Sequence, residues 1–221
     1  MPVMQEALLS WSLNGVSQSP LLCSPGHGAA LIRGHLLTEG VVQSPADILK
    51  VDLRSTPSPH WSVQTAVLPM EKPQPSLNPS SCPCSNERLD PLCAALDHVP
   101  HAAGQHIVLL WDGTTQVTAS DISRHHALDT AVGLAMEQGM DFSRCILCTS
   151  GRISLEIVRK AVRAGIPVLC TRKAIGSLAV EFASSAGCIL CTPGTPPEYY
   201  GAVPSSFYDH RNETIPGMTR P

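Results

Sequence analysis

The spacing of apolar positions changes repeatedly along the chain. Residues 5–13 alternate apolar and polar and end at Asn14-Gly15, which predicts a first strand closed by a tight turn. Between 25 and 40, Ala29, Ala30, Leu31, Leu36 and Leu37 recur near the helical period, with Gly40 placed to end a helix. Ser44-Pro45-Ala46-Asp47 opens a short turn or helix, and 48–54 and 61–68 read as strands. A helix follows at 87–97. A hairpin then runs from a strand at 106–111 through Asp112-Gly113 to a partner strand at 115–119. The rest alternates: helix 124–138, strand 146–149, helix 154–164 ended by Gly165, strand 168–171, helix 177–185 and strand 189–191.

Alternating strands and helices in the second half predict an α/β fold: a mostly parallel sheet with helices on both faces. The pattern divides the chain into a smaller amino-terminal α+β part over 1–86, a core over 87–203 and an irregular tail over 204–221. Residues 69–86, PMEKPQPSLNPSSCPCSN, are rich in Pro, Ser and Asn and nearly free of apolar side chains. That composition predicts an exposed, mobile loop, and it carries Cys82 and Cys84.

A net charge of -3 provides no bulk positive field, so nucleic acid and anionic membranes are not expected partners. No apolar run approaches the ~20 residues of a membrane span. The amino terminus lacks a basic segment followed by an apolar run, so a cytoplasmic protein is expected. In that setting the nine cysteines do not predict a disulfide framework; they are expected to be buried, metal-bound or catalytic. Cys145/Cys148 and Cys188/Cys191 have Cys-x-x-Cys spacing but sit in apolar runs that read as core strands. Residues three apart on a strand face opposite ways, so neither pair is expected to chelate a metal.

Three groups could carry chemistry. Cys82-Pro83-Cys84 offers a nucleophile and a resolving thiol, as sulfur exchange requires; two incidental loop cysteines would look the same. Asp121 precedes Arg124-His125-His126 and Asp129, and can cap a helix whose first turn attracts anions. Ser150-Gly151-Arg152 followed by Ser154 lies between a strand and a helix, where hydroxyls and a guanidinium can cradle phosphate. The basic cluster Arg152, Arg159, Lys160, Arg163, Arg172 and Lys173 suits either a phosphate-bearing ligand or a solvated helix face.

From Leu36 to Cys191 the chain resembles the formate dehydrogenase accessory sulfurtransferases, the FdhD family. The resemblance rests on Leu37-Thr38-Glu39-Gly40-Val41-Val42, Ser80-Ser81-Cys82, His101-Ala102-Ala103, Asp121 to Asp129, Ser150-Gly151-Arg152-Ile153-Ser154 with Glu156, Lys160 to Pro167, and Ser177-Leu178-Ala179-Val180-Glu181. It implies a cytidine-deaminase-like fold and a homodimer. It implies a sulfurtransferase that takes persulfide sulfur from a cysteine desulfurase and passes it to molybdenum bis-molybdopterin guanine dinucleotide, for the formate dehydrogenase catalytic subunit. That cofactor is a bound substrate; no metal or cofactor is expected to be held permanently. Cys82, with Cys84, is then the catalytic carrier. His101, Arg124, His125, Ser150, Gly151, Arg152, Ser154, Thr192 and Gly194 are the expected cofactor-binding residues.

The chain departs from the family pattern in three places. The thiol pair is Cys-x-Cys instead of Cys-x-x-Cys, Val99-Pro100 stands where the family has a glycine pair, and Thr192 to Pro197 contains no arginine. These departures raise the alternative of a cofactor-binding chaperone without sulfur transfer. A zinc deaminase is a further alternative, but its His-x-Glu and Pro-Cys-x-x-Cys signatures are absent.

Overall fold

Four short strands are apolar except at their ends because helices cover both of their faces. They are β7 (His106–Trp111), β9 (Ile146–Thr149), β10 (Val168–Thr171) and β11 (Ile189–Thr192). The computed structural model describes residues 3–54, 59–66, 77–82, 86–194 and 197–204. Its main sheet has six strands in the order β12-β11-β10-β9-β7-β8, where β8 is Gln116–Asp121 and β12 is Glu198–Gly201.

Alternation sends Val108, Leu110, Leu147, Leu169 and Leu190 to one face, into a core with α1 (Gly28–Thr38), α3 (Arg124–Glu137), α4 (Leu155–Ala164) and α5 (Ser177–Ala186). Ile107, Leu109, Ile146, Cys148, Val168, Cys170, Ile189 and Cys191 face the other way, toward Leu89, Leu92 and Cys93 of α2 (Asn86–Ala95). Helices therefore lie on both faces, as expected.

The sheet is not mostly parallel. Only β9–β10 and β10–β11 are parallel; β7–β8, β7–β9 and β11–β12 are antiparallel. The chain leaves β8 through α3 and passes over β7 to reach β9, so the hairpin joins the parallel strands through its antiparallel member. The edge strand β12 lies in a Pro-rich stretch outside the alternating strand and helix pattern, yet its Tyr199 is buried.

The amino-terminal strand splits in two, β1 (Ala7–Leu9) and β2 (Trp11–Leu13), and these enter different sheets. β1 pairs with β4 (Leu21–Cys23), a strand the sequence pattern does not reveal. β2 joins β3 (Val16–Ser17), β5 (Ile48–Arg54) and β6 (His60–Thr65) in the order β3-β2-β6-β5. Leu9, Trp11, Ile48 and Val63 belong to the same buried cluster as Leu31 and Ile32 of α1 and as Leu190 of β11.

α1 and α3 pack backbone against backbone. A Cβ at Gly34 would strike the Asp129 carbonyl oxygen, and one at Gly133 would strike the carbonyl oxygen of Ala30. Among the described residues, no helix is long and apolar enough to cross a membrane.

Candidate functional site

The carboxyl ends of β9, β10 and β11 form one rim of the main sheet, the usual ligand side of such sheets. Because β7 runs antiparallel to β9, its first residue, His106, reaches the same rim. The turn after β9 is tightly held. The Ser150 amide donates to the Ile107 carbonyl at 2.9 Å, and the Ser150 hydroxyl accepts from the Ile107 amide at 2.8 Å. The Gly151 amide donates to Thr149 Oγ1 at 3.1 Å, and Thr171 Oγ1 donates to the Gly151 carbonyl at 2.8 Å. Gly151 therefore shapes the turn, and its amide is committed within the protein.

The bare Cα of Gly151 opens toward Arg124 and His106. A Cβ there would lie 3.4 Å from His106 Nδ1 and 3.5 Å from Arg124 Cβ. Arg124 is the first residue of α3, and its Nε is buried without a hydrogen-bond partner. Ser154 stands at the N-cap of α4 without capping it, and its Oγ is likewise buried and unpartnered. Buried polar groups are nearly always satisfied, so two unsatisfied donors flanking one turn mark a place prepared for an acceptor. The amino ends of α3 and α4 add partial positive charge on the same rim.

Burial, reinforced by the Arg124 guanidinium, holds His106 below the usual histidine range. Burial followed by Arg124 and Lys160 does the same for the half-buried His125. Both shifts favour the neutral ring. His106 has no motif around it. Only the antiparallel β7–β9 register brings it here, and sequence spacing does not encode that register.

Next along the rim lies a cavity of about 370 Å³ lined by Lys173, Ala174, Ile175, Val180, Thr192, Glu198 and Tyr200. A parallel bridge between Ile153 and Ile175 ties it to the Ser150–Ser154 turn. Thr192 is in this cavity, where its hydroxyl donates to Glu198 at 3.4 Å. Gly194 is exposed just beyond it, and Arg152 is exposed beside the turn. His101 is exposed on the loop before β7, where its Nδ1 donates to the Val99 carbonyl at 2.8 Å.

Asp121 does not cap α3. Ser123 is the N-cap residue, accepting from the His126 amide, while Asp121 accepts from the amides of Ser123 and Ser24 at 2.8 Å each. His126 donates Nδ1–H to the Leu22 carbonyl at 2.9 Å and so pins β4. Most of the basic cluster is paired. Lys160 contacts Glu39 and Asp129, Arg163 contacts Glu39, Arg159 contacts Glu156 and Arg172 contacts Asp97.

Asp129 is fully buried among His35 Nδ1 at 2.9 Å, Thr38 Oγ1 at 2.6 Å and Lys160 Nζ at 2.9 Å. Burial alone would raise its pKa, but the His35 hydrogen bond and the Lys160 charge pull it below the usual carboxylate range. Asp129 and Lys160 are therefore a structural link between α1, α3 and α4 and are not part of the rim.

Cys82 departs from its expected setting. It closes a 3₁₀ turn at Pro79–Ser81 and is only 8% exposed, packed in the core under α2. Its thiol donates to the Arg144 carbonyl at 3.2 Å, just ahead of β9. Cys82 thus lies at the amino edge of the sheet and Ser150 at the carboxyl edge. Cys84 lies outside the described residues, as does the tail from 205 onward.

The FdhD/NarQ family profile matches residues 94–195. The sulfur carrier protein FdhD of Mycobacterium bovis is 30% identical over 84% of this chain and 83% of its own length. The protein of that name from Thermoplasma volcanium is 48% identical over 89 residues, 39% of this chain and 32% of its own length. The crystal structure of a candidate formate dehydrogenase accessory protein from Desulfotalea psychrophila superposes with a TM-score of 0.75 over 92% of this chain and 90% of that one, at 20% identity. That likeness concerns the fold.

Proposed function

The chain belongs to the FdhD/NarQ family, and from that premise we propose that it is a sulfur carrier for molybdenum bis-molybdopterin guanine dinucleotide, serving formate dehydrogenase. The observation that carries the binding half is the pair of buried, unpartnered donors, Arg124 Nε on the residue beside Gly151 and Ser154 Oγ at the end of the turn that Gly151 shapes. A phosphate of the guanine dinucleotide is the acceptor they lack. His106 and His125 sit beside it and can add charge. Lys173 and Thr192 line the adjoining cavity for the remainder of the ligand. The antiparallel hairpin joined to three parallel strands also supports the finer reading of the fold as cytidine-deaminase-like.

Cys82 is the proposed carrier. Its thiolate attacks the terminal sulfur of a cysteine desulfurase persulfide; a new Sγ–S bond forms, the donor S–S bond breaks, and the donor cysteine leaves as thiolate. When a second thiolate then attacks Cys82 Sγ, the terminal sulfur departs as sulfide and a disulfide remains. Cys84 or an external thiol is that second thiol. Because Cys82 is buried, loading requires the 77–82 segment to lift from the 142–144 turn on which it packs. That burial is also what favours a second reading, a cofactor-binding chaperone that carries no sulfur.

Mass spectrometry after incubation with a cysteine desulfurase and cysteine separates the two. A gain of one sulfur that vanishes in Cys82→Ala supports the carrier. No gain on wild-type protein leaves the chaperone.

A further inference from the structure

The sheet face beneath α2 carries a row of cysteines that the proposed sulfur chemistry does not use. Strand register sets Cys148 of β9, Cys170 of β10 and Cys191 of β11 side by side. Alternation points all three toward α2, which contributes Cys93. The sulfur atoms of Cys93, Cys148 and Cys170 all lie within 4.8 Å of one another, and Cys93 Sγ is 3.2 Å from Cys170 Sγ. All three residues are at most 1% exposed, within a wall of aliphatic side chains.

This is not how the other buried cysteines of the chain are arranged. Cys23, Cys145 and Cys188 each turn their thiol to a backbone carbonyl and stand alone. In the triad the thiols face one another, and the Cys93 thiol donates to Cys170 Sγ. Two thiolates on one tetrahedral or trigonal metal, each ~2.3 Å from it, stand about 3.8–4.0 Å apart, inside the spread seen here. Arg172 follows β10 and exerts its charge on Cys93 and Cys170.

We propose that Cys93, Cys148 and Cys170 form a three-thiolate site for a thiophilic d¹⁰ ion, zinc(II) or copper(I), that fastens α2 to the sheet. Binding replaces three S–H bonds with three metal–sulfur bonds and releases three protons. Cys145 and Cys188 are in the core on the other face, so neither Cys-x-x-Cys spacing brings its own two thiols together. The site instead takes Cys148 from the first pair and joins it to thiols distant in sequence. It departs from the expectation that the protein holds no metal. It is independent of sulfur transfer, but α2 and Cys82 share one core cluster, so the ion would also firm the bed on which Cys82 rests.

The test is elemental analysis and native mass spectrometry of the full chain, expressed with added zinc and then exchanged into metal-free buffer. About one zinc or copper(I) per chain supports the site, and the element found names the occupant. Cys148→Ser and Cys170→Ser should each lower retention at least about tenfold, while Cys188→Ala retains the ion. As a measurement free of folding defects, cobalt(II) added to metal-free wild-type protein should give intense thiolate-to-metal charge-transfer bands. Wild-type protein that stays metal-free with zinc, copper(I) and cobalt(II) overturns the proposal.

Discussion

Cys82 and Ser150 bracket β9 from opposite ends. The Cys82 thiol is bonded to the Arg144 carbonyl before the strand, and the Ser150 hydroxyl accepts from β7 after it. The extended chain from 144 to 150 spans about 20 Å at ~3.3 Å per residue. The proposed sulfur loading and nucleotide binding should therefore be separable by mutation. Cys82→Ala should abolish persulfide formation yet leave affinity for guanosine diphosphate, one arm of the dinucleotide, within about twofold. Arg124→Ala should weaken that affinity at least about tenfold, the worth of one charge-assisted hydrogen bond, and leave the persulfide intact. Calorimetric titration paired with intact-mass analysis reads both, and loss of both functions in either variant would refute the two-edge arrangement.

The α1–α3 crossing should tolerate no side chain. Alanine for a mid-helix glycine ordinarily stabilises by about 1 kcal/mol. At Gly34 and Gly133 the added methyl would meet the backbone of the facing helix, so the helices must separate and the buried Asp129 network with them. Gly34→Ala and Gly133→Ala should each cost more than about 3 kcal/mol in urea unfolding. A neutral or stabilising result at either position would show that the helices are not in backbone contact.

Apolar runs made several elements legible from sequence. β5, β7, β9 and β10 fall at the expected residues because each is a continuous or alternating apolar stretch bounded by turn residues. What pairing alone decides was not legible. The direction of β7, the short β4, and β12 within a Pro-rich stretch all depend on distant partners. The site divides the same way. Arg124, Ser150, Gly151 and Ser154 stand at turn and cap positions that sequence marks. His106 joins them only through the sheet, and Cys82 is buried by α2 and the 142–144 turn despite its polar neighbours. Asp129 and Lys160 stand out in sequence as charged residues in the Asp121–Asp129 motif and the basic cluster. In the fold they bind each other.

That pair makes its own prediction. Asp129 is fully buried and the Lys160 side chain is 6% exposed, so removing the lysine leaves a carboxylate with only His35 and Thr38. Lys160→Met should cost about 3–5 kcal/mol at neutral pH. Lys160 also holds Glu39 below its usual range, against the opposing effect of burial. With both carboxyls depressed in the folded state, the unfolded chain binds more protons as pH falls. The share of wild-type stability that these two carboxylates supply should therefore be fully present above about pH 5 and drop through the carboxylate range below it. Lys160→Met should lose less between about pH 5 and pH 3.5, because the charge that depresses both groups is gone. Urea midpoints at several pH values test this, and an acid slope as steep as the wild type's would assign the loss to other groups.

His106 and His125 give the site a pH dependence of opposite sense for ligand and for fold. Burial and Arg124 depress both rings, so lowering the pH through about 6.5 protonates the unfolded chain first and costs stability. Asp121 opposes this at His106, and Asp129 opposes it at His125. A phosphate beside Arg124 would reverse the local balance, because its negative charge favours the protonated rings. Nucleotide binding should then take up protons and tighten at least about threefold between pH 7.5 and pH 6. Calorimetry in two buffers of different ionisation enthalpy measures the uptake directly, and His106→Gln should reduce it by the share that His106 contributes. Affinity that falls with pH, or binding without proton uptake, would place the phosphate away from these histidines and from the unpartnered donor of Arg124.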